Sequence, residues 1–90
     1  TVFGGWPGFS LVGGGAAGVE VALALRLHAP VTLVEAGEDV LAGYPGRARR
    51  LAREVLARHG VTVSPGRGVA RVDADAVVLD DGTRIASGLT

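Results

Sequence analysis

Apolar and polar positions follow different periods along this chain, and the first third predicts a strand, a helix and a second strand. Phe9–Val12 is a short β-favouring run that ends at three glycines, and Ala16–Leu27 is apolar on nearly every side. That pattern is typical of a helix buried on two faces, and Pro30 ends it because proline disfavours the helical conformation of the preceding residue. Val31–Glu35 then has the composition of a strand. The pattern therefore predicts one strand-helix-strand unit.

A second helix and several short strands come next along the chain. The helix is amphipathic, with arginines on a solvated face and apolar residues at the offsets of one buried face: Ala48, Leu51, Ala52, Val55 and Leu56. Val61–Val63 predicts a third strand. Beyond it, runs separated by aspartate-containing turns predict an antiparallel meander formed by Val69–Val72, Ala76–Leu79 and Thr83–Ala86.

These elements predict an α/β fold with one domain. We expect a Rossmann-like parallel sheet in the order 3-2-1, with right-handed crossovers, flanking helices and the meander beyond. The glycine- and proline-containing segment Thr1–Gly8 is predicted to be a linker, and residues 9–90 the domain.

Composition and charge narrow the function. With 48% apolar residues and nine basic residues against nine acidic ones, the chain gives no electrostatic argument for a nucleic acid or a membrane surface as partner. It has no cysteine for a disulfide or thiolate metal site, and no apolar stretch approaches the roughly 20 residues of a membrane span. We therefore expect a cytoplasmic protein without a membrane span.

The candidate chemistry lies in the turn between the first strand and the helix. The residues from Gly13 to Gly18 read GGGAAG and match the pattern GxGxxG. Gly13 permits the tight turn, Gly15 lets a pyrophosphate approach the backbone, and Gly18 lets the helix pack closely against the strand. Neither serine nor aspartate caps the helix, so its free N–H groups suit an anion. The candidate contacts in this turn are Gly13, Gly15, Ala16, Ala17 and Gly18.

Glu35 supports a dinucleotide over a simple glycine turn. It closes the second strand about 20 residues after the motif, where a carboxylate accepts both hydroxyls of a ribose. The next residues, from Ala36 to Asp39, contain no arginine for a 2′-phosphate, which favours NAD(H) over NADP(H). Glu20 has two open interpretations, namely exposure compensated by the helix dipole, or a position beside the nicotinamide or a flavin.

Four segments, VGGGAAGVEVALAL, VTLVEAGEDVL, LAREVLARHGVTV and VVLDDGTRI, resemble the NADH-binding domain of the pyridine nucleotide-disulfide oxidoreductase superfamily. The resemblance runs from about Ser10 to Ala86. It implies a domain inserted into a flavoprotein, such as a type II NADH dehydrogenase, that holds NADH with its nicotinamide against the flavin. It also implies that Glu20 lies near the nicotinamide and that the backbone near Val69 contacts the adenine side. Ala36, next to Glu35, is a further candidate contact of the cofactor.

The resemblance further implies parts beyond this chain. The family's final parallel strand would follow Ala86, and FAD would be bound in the flavin domain of the same parent protein. We therefore expect the isolated chain to be inactive. The first strand would become a sheet edge, so we expect homo-oligomers through that edge or coverage of it by the chain's own termini. Two alternatives stay open: an FAD-binding Rossmann module, and a binding domain that senses the nucleotide ratio without chemistry.

Overall fold

The structure is a computed structural model that describes residues 7–88. In this part of the chain, helices and strands alternate in the first half and short strands follow one another in the second. The elements are β1 (Phe9–Val12), α1 (Ala16–Arg26), β2 (Val31–Glu35), α2 (Gly46–Arg58), β3 (Thr62–Pro65), β4 (Val69–Val72), β5 (Ala76–Leu79) and β6 (Arg84–Ala86).

The first three strands form a parallel sheet with β2 in the centre. Phe9 of β1 pairs with Val31 of β2, and Thr32 of β2 pairs with Thr62 of β3. The predicted order 3-2-1 is confirmed. The third strand begins one residue later than predicted because Val61 belongs to the turn that ends α2: its N–H donates to the carbonyl oxygen of Leu56 at 2.9 Å.

The two faces of β2 pack against different partners, as the alternation of side chains along a strand requires. Val31 and Leu33 join a core with α1 and α2 that includes Ala22 and Leu56. Val34 points to the other face and packs against Val77 and Leu79 of β5, in a second cluster. The helices therefore cover one face of the parallel sheet, and the meander covers the other.

The meander is a separate antiparallel sheet in the order β4-β5-β6. All four residues of β5 are buried. The last strand of the meander, β6, begins at Arg84 and not at Thr83 as predicted. The Thr83 N–H donates to the Asp81 carboxylate at 2.9 Å, so Thr83 belongs to the turn. On the exposed surface, hydrogen bonds from Arg71 and Arg84 hold the pKa of Asp73 below its usual value.

Two predictions about the helix faces were wrong. Leu51 was placed on the buried face of α2, but it is 59% exposed, because it lies about 140° around the helix from the buried Leu56. Helix α1 is buried along one side only, since Val21 is 46% exposed and Leu27, which caps the helix, is 78% exposed. Helix α1 therefore has more apolar side chains than the parallel sheet and α2 bury.

Strand β1 lies at the edge of the parallel sheet in the described part of the chain. Gly8, at the end of the predicted linker, accepts a hydrogen bond through its carbonyl oxygen from the Gly88 N–H at 2.8 Å. Residues 1–6 of that linker lie outside the described residues, and association through β1 stays a prediction. Neither α1 nor α2 is long and apolar enough to cross a membrane.

Ser10 gives a test of the packing between β1 and the meander side. Its side chain is fully buried and its Oγ has no hydrogen-bond partner among the described residues. A buried polar atom without a partner costs about 1–3 kcal/mol. We expect Ser10→Ala to leave the free energy of unfolding in urea unchanged or to raise it by about 1 kcal/mol. Ser64→Ala, at a half-buried position of β3, is the control; a loss of more than about 1 kcal/mol in Ser10→Ala alone would show that the hydroxyl is paired.

Candidate functional site

The glycine turn between β1 and α1 needs two glycines for steric reasons. Gly13 has a φ of 109°, in the region that favours glycine, and its N–H donates to the carbonyl oxygen of Val34 at 2.8 Å. A Cβ added to Gly18 would lie 2.0 Å from the carbonyl oxygen of Gly13. The helix therefore rests directly on the turn, and no side chain fits at position 18.

The N-terminus of α1 is open. Gly15 is the N-cap residue, no side chain caps the helix, and the first turn has no acidic residue. A Cβ added to Gly15 would find no atom of the described residues within 4 Å. The first N–H groups of a helix have no intrahelical partner and carry about half a positive charge together. This end of α1 can therefore bind a phosphate against bare backbone.

The Glu35 carboxylate is held beside the turn by two backbone N–H groups. Its Oε1 accepts a hydrogen bond from Gly14 at 2.6 Å, and its Oε2 accepts one from Gly37 at 2.7 Å. The side chain is half-buried at the carboxyl end of β2. A carboxylate has about four acceptor positions, so each oxygen keeps one for a further donor such as a hydroxyl.

The loop after β2 folds back onto the glycine turn. The Leu41 N–H donates to the carbonyl oxygen of Gly14 at 2.7 Å, and Leu41 adopts a left-handed φ of 54° to do so. A Cβ added to Gly14 would lie 3.2 Å from Val40 and 3.1 Å from Glu35 Oε1. The acid, the turn and the loop thus form one packed unit, and a Cβ at Gly14 would fit only if the side chain of Glu35 or Val40 moved slightly.

A second loop, between β3 and β4, closes the other side of this region. The Gly66 N–H donates to the carbonyl oxygen of Gly37 at 2.7 Å, and a Cβ on Gly68 would lie 3.9 Å from the Cβ of Ala36. Val69, the first residue of β4, follows directly. Ala36 and the start of β4 therefore border the same edge of the parallel sheet as Glu35.

Comparison with known proteins identifies the family. The sequence profile described as pyridine nucleotide-disulphide oxidoreductase matches residues 8–89. The chain belongs to this family. A search of curated protein sequences gave no significant match.

Several solved structures have the same fold as this chain of the pyridine nucleotide-disulphide oxidoreductase family. A ferredoxin reductase from Rhodopseudomonas palustris superposes with a TM-score of 0.87 at 22% identity, over 91% of this chain and 22% of that one. Reduced CoADR-RHD from Bacillus anthracis gives 0.82 at 28% identity, over 92% and 16%. NDH2 from Plasmodium falciparum in complex with NADH gives 0.81 at 17% identity, over 91% and 21%. The chain thus spans about a fifth of these proteins.

In this member of the oxidoreductase family, the structure brings together most of the cofactor-binding residues predicted from the sequence. One group of these residues lies in the glycine turn and at the start of α1, and a second group, Glu35 and Ala36, lies at the end of β2. Val69 is close to the second group, because the residue before it, Gly68, lies beside Ala36. Glu20 lies one turn into α1 and is exposed. The predicted site residues are placed as follows: Gly13 and Gly15 before α1, Ala16, Ala17, Gly18 and Glu20 on it, Glu35 on β2, Ala36 after it, and Val69 on β4.

Sequence reasoning missed the residues that orient the acid. Gly14 and Gly37 donate to Glu35, and the spacing Glu35-Ala36-Gly37 is a signal that could have indicated the second bond. The arginines of α2 that pair with Asp39 were also missed, because they were assigned to a solvated face. Among residues 7–88, no three acidic, histidine or cysteine side chains come together as a metal site.

Proposed function

We propose that this chain is the NAD(H)-binding domain of a flavin-dependent pyridine nucleotide oxidoreductase. The observation that carries the proposal is the Glu35 carboxylate, fixed by the Gly14 and Gly37 N–H groups beside an uncapped helix N-terminus. The two features match the two polar parts of the adenosine half of a dinucleotide, a diphosphate and a ribose with two hydroxyls.

Each part of the site takes one role in binding. The pyrophosphate lies over Gly15, where the absent side chain leaves open space, and accepts hydrogen bonds from the N–H groups of Ala16 and Ala17. The ribose hydroxyls donate to the free acceptor positions of Glu35. Ala36 and the backbone near Val69 border the adenine. These contacts fix the adenosine half, and the nicotinamide extends past α1 on the side of Glu20.

The reaction itself uses groups that this chain does not supply. NADH supplies a hydride, and the flavin that accepts it is proposed to lie in another domain of the parent protein. The chain spans only 16–22% of the reductases that share its fold, which agrees with such a division of labour. The chain's own contribution is binding and orientation, and we propose that it is inactive by itself.

The choice between NADH and FAD depends on the elements that come after Glu35 in the chain. A glycine turn and an acid at a strand end serve the adenosine half of either cofactor. An FAD-binding module of the amine-oxidase type is expected to continue with a further glycine-rich stretch. Here the chain forms the amphipathic helix α2 and then the meander. This arrangement favours NADH, and the NDH2 of Plasmodium falciparum that shares the fold was solved in complex with NADH.

Calorimetric titration of the chain with NADH, NADPH and FAD tests the proposal. We expect NADH to bind most tightly, because a 2′-phosphate would meet the Glu35 carboxylate and because α2 and the meander, and not a further glycine-rich stretch, follow β2. FAD binding as tight as NADH binding would support the FAD module instead. Absence of binding to all three cofactors by a chain with helical and strand circular dichroism would contradict a dinucleotide site.

A further inference from the structure

An ion-pair cluster lies between the loop after β2 and the start of α2. Asp39 accepts hydrogen bonds through Oδ1 from the Val40 N–H at 2.8 Å and through Oδ2 from Arg53 Nη1. The same Oδ2 lies 3.6 Å from Arg49 Nε, and Arg49 Nη1 donates to the Tyr44 carbonyl oxygen at 3.2 Å. Both arginines are thus turned toward one carboxylate.

This cluster borders the proposed ribose site. A Cβ added to Gly37 would lie 3.1 Å from Glu35 Oε2 and 4.0 Å from the Asp39 carbonyl oxygen, so both groups surround one point. The same loop lines a cleft of about 460 Å³ together with α2, through Glu38, Asp39, Ala42, Gly43 and Arg49. A phosphate on the 2′ oxygen of a ribose held by Glu35 would point toward this loop.

Arginine is the side chain that accommodates a 2′-phosphate, because its planar fork donates two hydrogen bonds to phosphate oxygens. Arg49 lines the cleft, but its guanidinium is engaged by Asp39 and by the Tyr44 carbonyl oxygen. Asp39 also adds a negative charge that repels a phosphate. The chain therefore has arginines that could bind a 2′-phosphate, but they form ion pairs with the Asp39 carboxylate.

We propose that Asp39 is a specificity-determining residue that excludes NADPH by holding Arg49 and Arg53 away from the 2′ position. The proposal rests on the proposed NAD(H) function. It adds a second barrier to the one that Glu35 presents. It also assigns a ligand chemistry to the cleft: once Asp39 is neutral, the cleft accepts the 2′-phosphate of NADPH.

The test compares NADH and NADPH binding to the chain and to Asp39→Asn by calorimetry. Asparagine keeps the size of the side chain and an oxygen for the Val40 N–H, but it releases the arginines. We expect NADPH to bind about tenfold more tightly to Asp39→Asn than to the original chain, and NADH affinity to change less than about twofold. Adding Arg49→Gln to Asp39→Asn should reverse most of the NADPH gain.

Glu54→Gln is the matched control. Like Asp39→Asn, it removes one negative charge, but from an exposed position on α2. Glu54 takes part in no ion pair within residues 7–88. An equal NADPH gain in Glu54→Gln would overturn the role of Asp39, since net charge alone would explain it. Loss of NADH binding in Asp39→Asn would also overturn it, because Asp39 would then shape the site and not select the cofactor.

The two proposals fail differently. If the original chain binds NADH and Asp39→Asn gains no NADPH affinity, the role of Asp39 is wrong and the NAD(H) function stands. If the original chain binds neither NADH nor NADPH, the proposed function is wrong, and the role of Asp39 falls with it.

Discussion

Gly18→Ala is expected to lower the free energy of unfolding by about 3 kcal/mol, because overpacking of this severity cannot be relieved by a rotamer change. The added methyl would lie 2.0 Å from the carbonyl oxygen of Gly13, so the backbone of the turn or the axis of α1 has to move. For a domain of this size, the loss corresponds to a fall in Tm of roughly 12–24 °C, measurable by thermal or urea unfolding.

Gly15→Ala is the matched control for that experiment. It adds the same methyl three residues earlier, at a φ of −72° that any residue adopts, and no atom of the described residues lies within 4 Å of it. We expect Gly15→Ala to unfold within about 1 kcal/mol of the original chain. An equal loss of stability in both variants would show that the turn, and not the contact of Gly18 with Gly13, is sensitive.

Glu35→Ala is expected to weaken NADH binding at least tenfold and to narrow the gap between NADH and NADPH. The variant loses the hydrogen bonds from ribose hydroxyls to a carboxylate, and the loss of a single bond of this kind, about 1.5–3 kcal/mol, already corresponds to a factor of about ten or more. It also leaves the Gly14 and Gly37 N–H groups without their acceptor, so the turn that holds the pyrophosphate loosens. Calorimetric titration with NADH and NADPH measures both the loss of NADH affinity and the change in the difference between the two affinities.

Glu54→Ala removes the same charge from an exposed position on α2 and should leave both affinities unchanged. If Glu35→Ala binds NADH as tightly as the original chain, the ribose assignment is wrong. If both affinities fall by the same factor, Glu35 acts by holding the turn, and the preference for NADH has another source.

The parallel sheet and its glycine turn could be predicted because their signals are local. Gly13, Gly15 and Gly18 mark a turn that a strand enters and a helix leaves, and Pro30 marks where that helix has ended. The period of the apolar residues then places each strand to within two residues. The order of the strands could be derived from the handedness of crossovers, since few arrangements of three parallel strands satisfy it.

The long-range contacts that orient the site could not be predicted, because they join parts of the chain whose relative positions only the folded structure sets. The bond from Gly14 to Glu35 spans 21 positions, and the pair of Arg53 with Asp39 spans 14. The burial of α2 has the same cause: Leu51 and Leu56 are equally apolar, and only the face with which the helix packs in the folded structure decides which one is covered.

The two sheets also differ in the sequence separation between paired strands, and therefore in the length of the loop that each strand pair closes. In the parallel sheet, Phe9 meets Val31 and Thr32 meets Thr62, so each pair encloses a loop of about 20–30 residues. In the meander, Val72 meets Val77, and the loop is only a few residues long. The meander can therefore close first, but its apolar side is completed only by Val34. We therefore expect the two long crossovers to limit the rate of folding, and the first of them runs from the glycine turn to Glu35, the two parts of the proposed cofactor site.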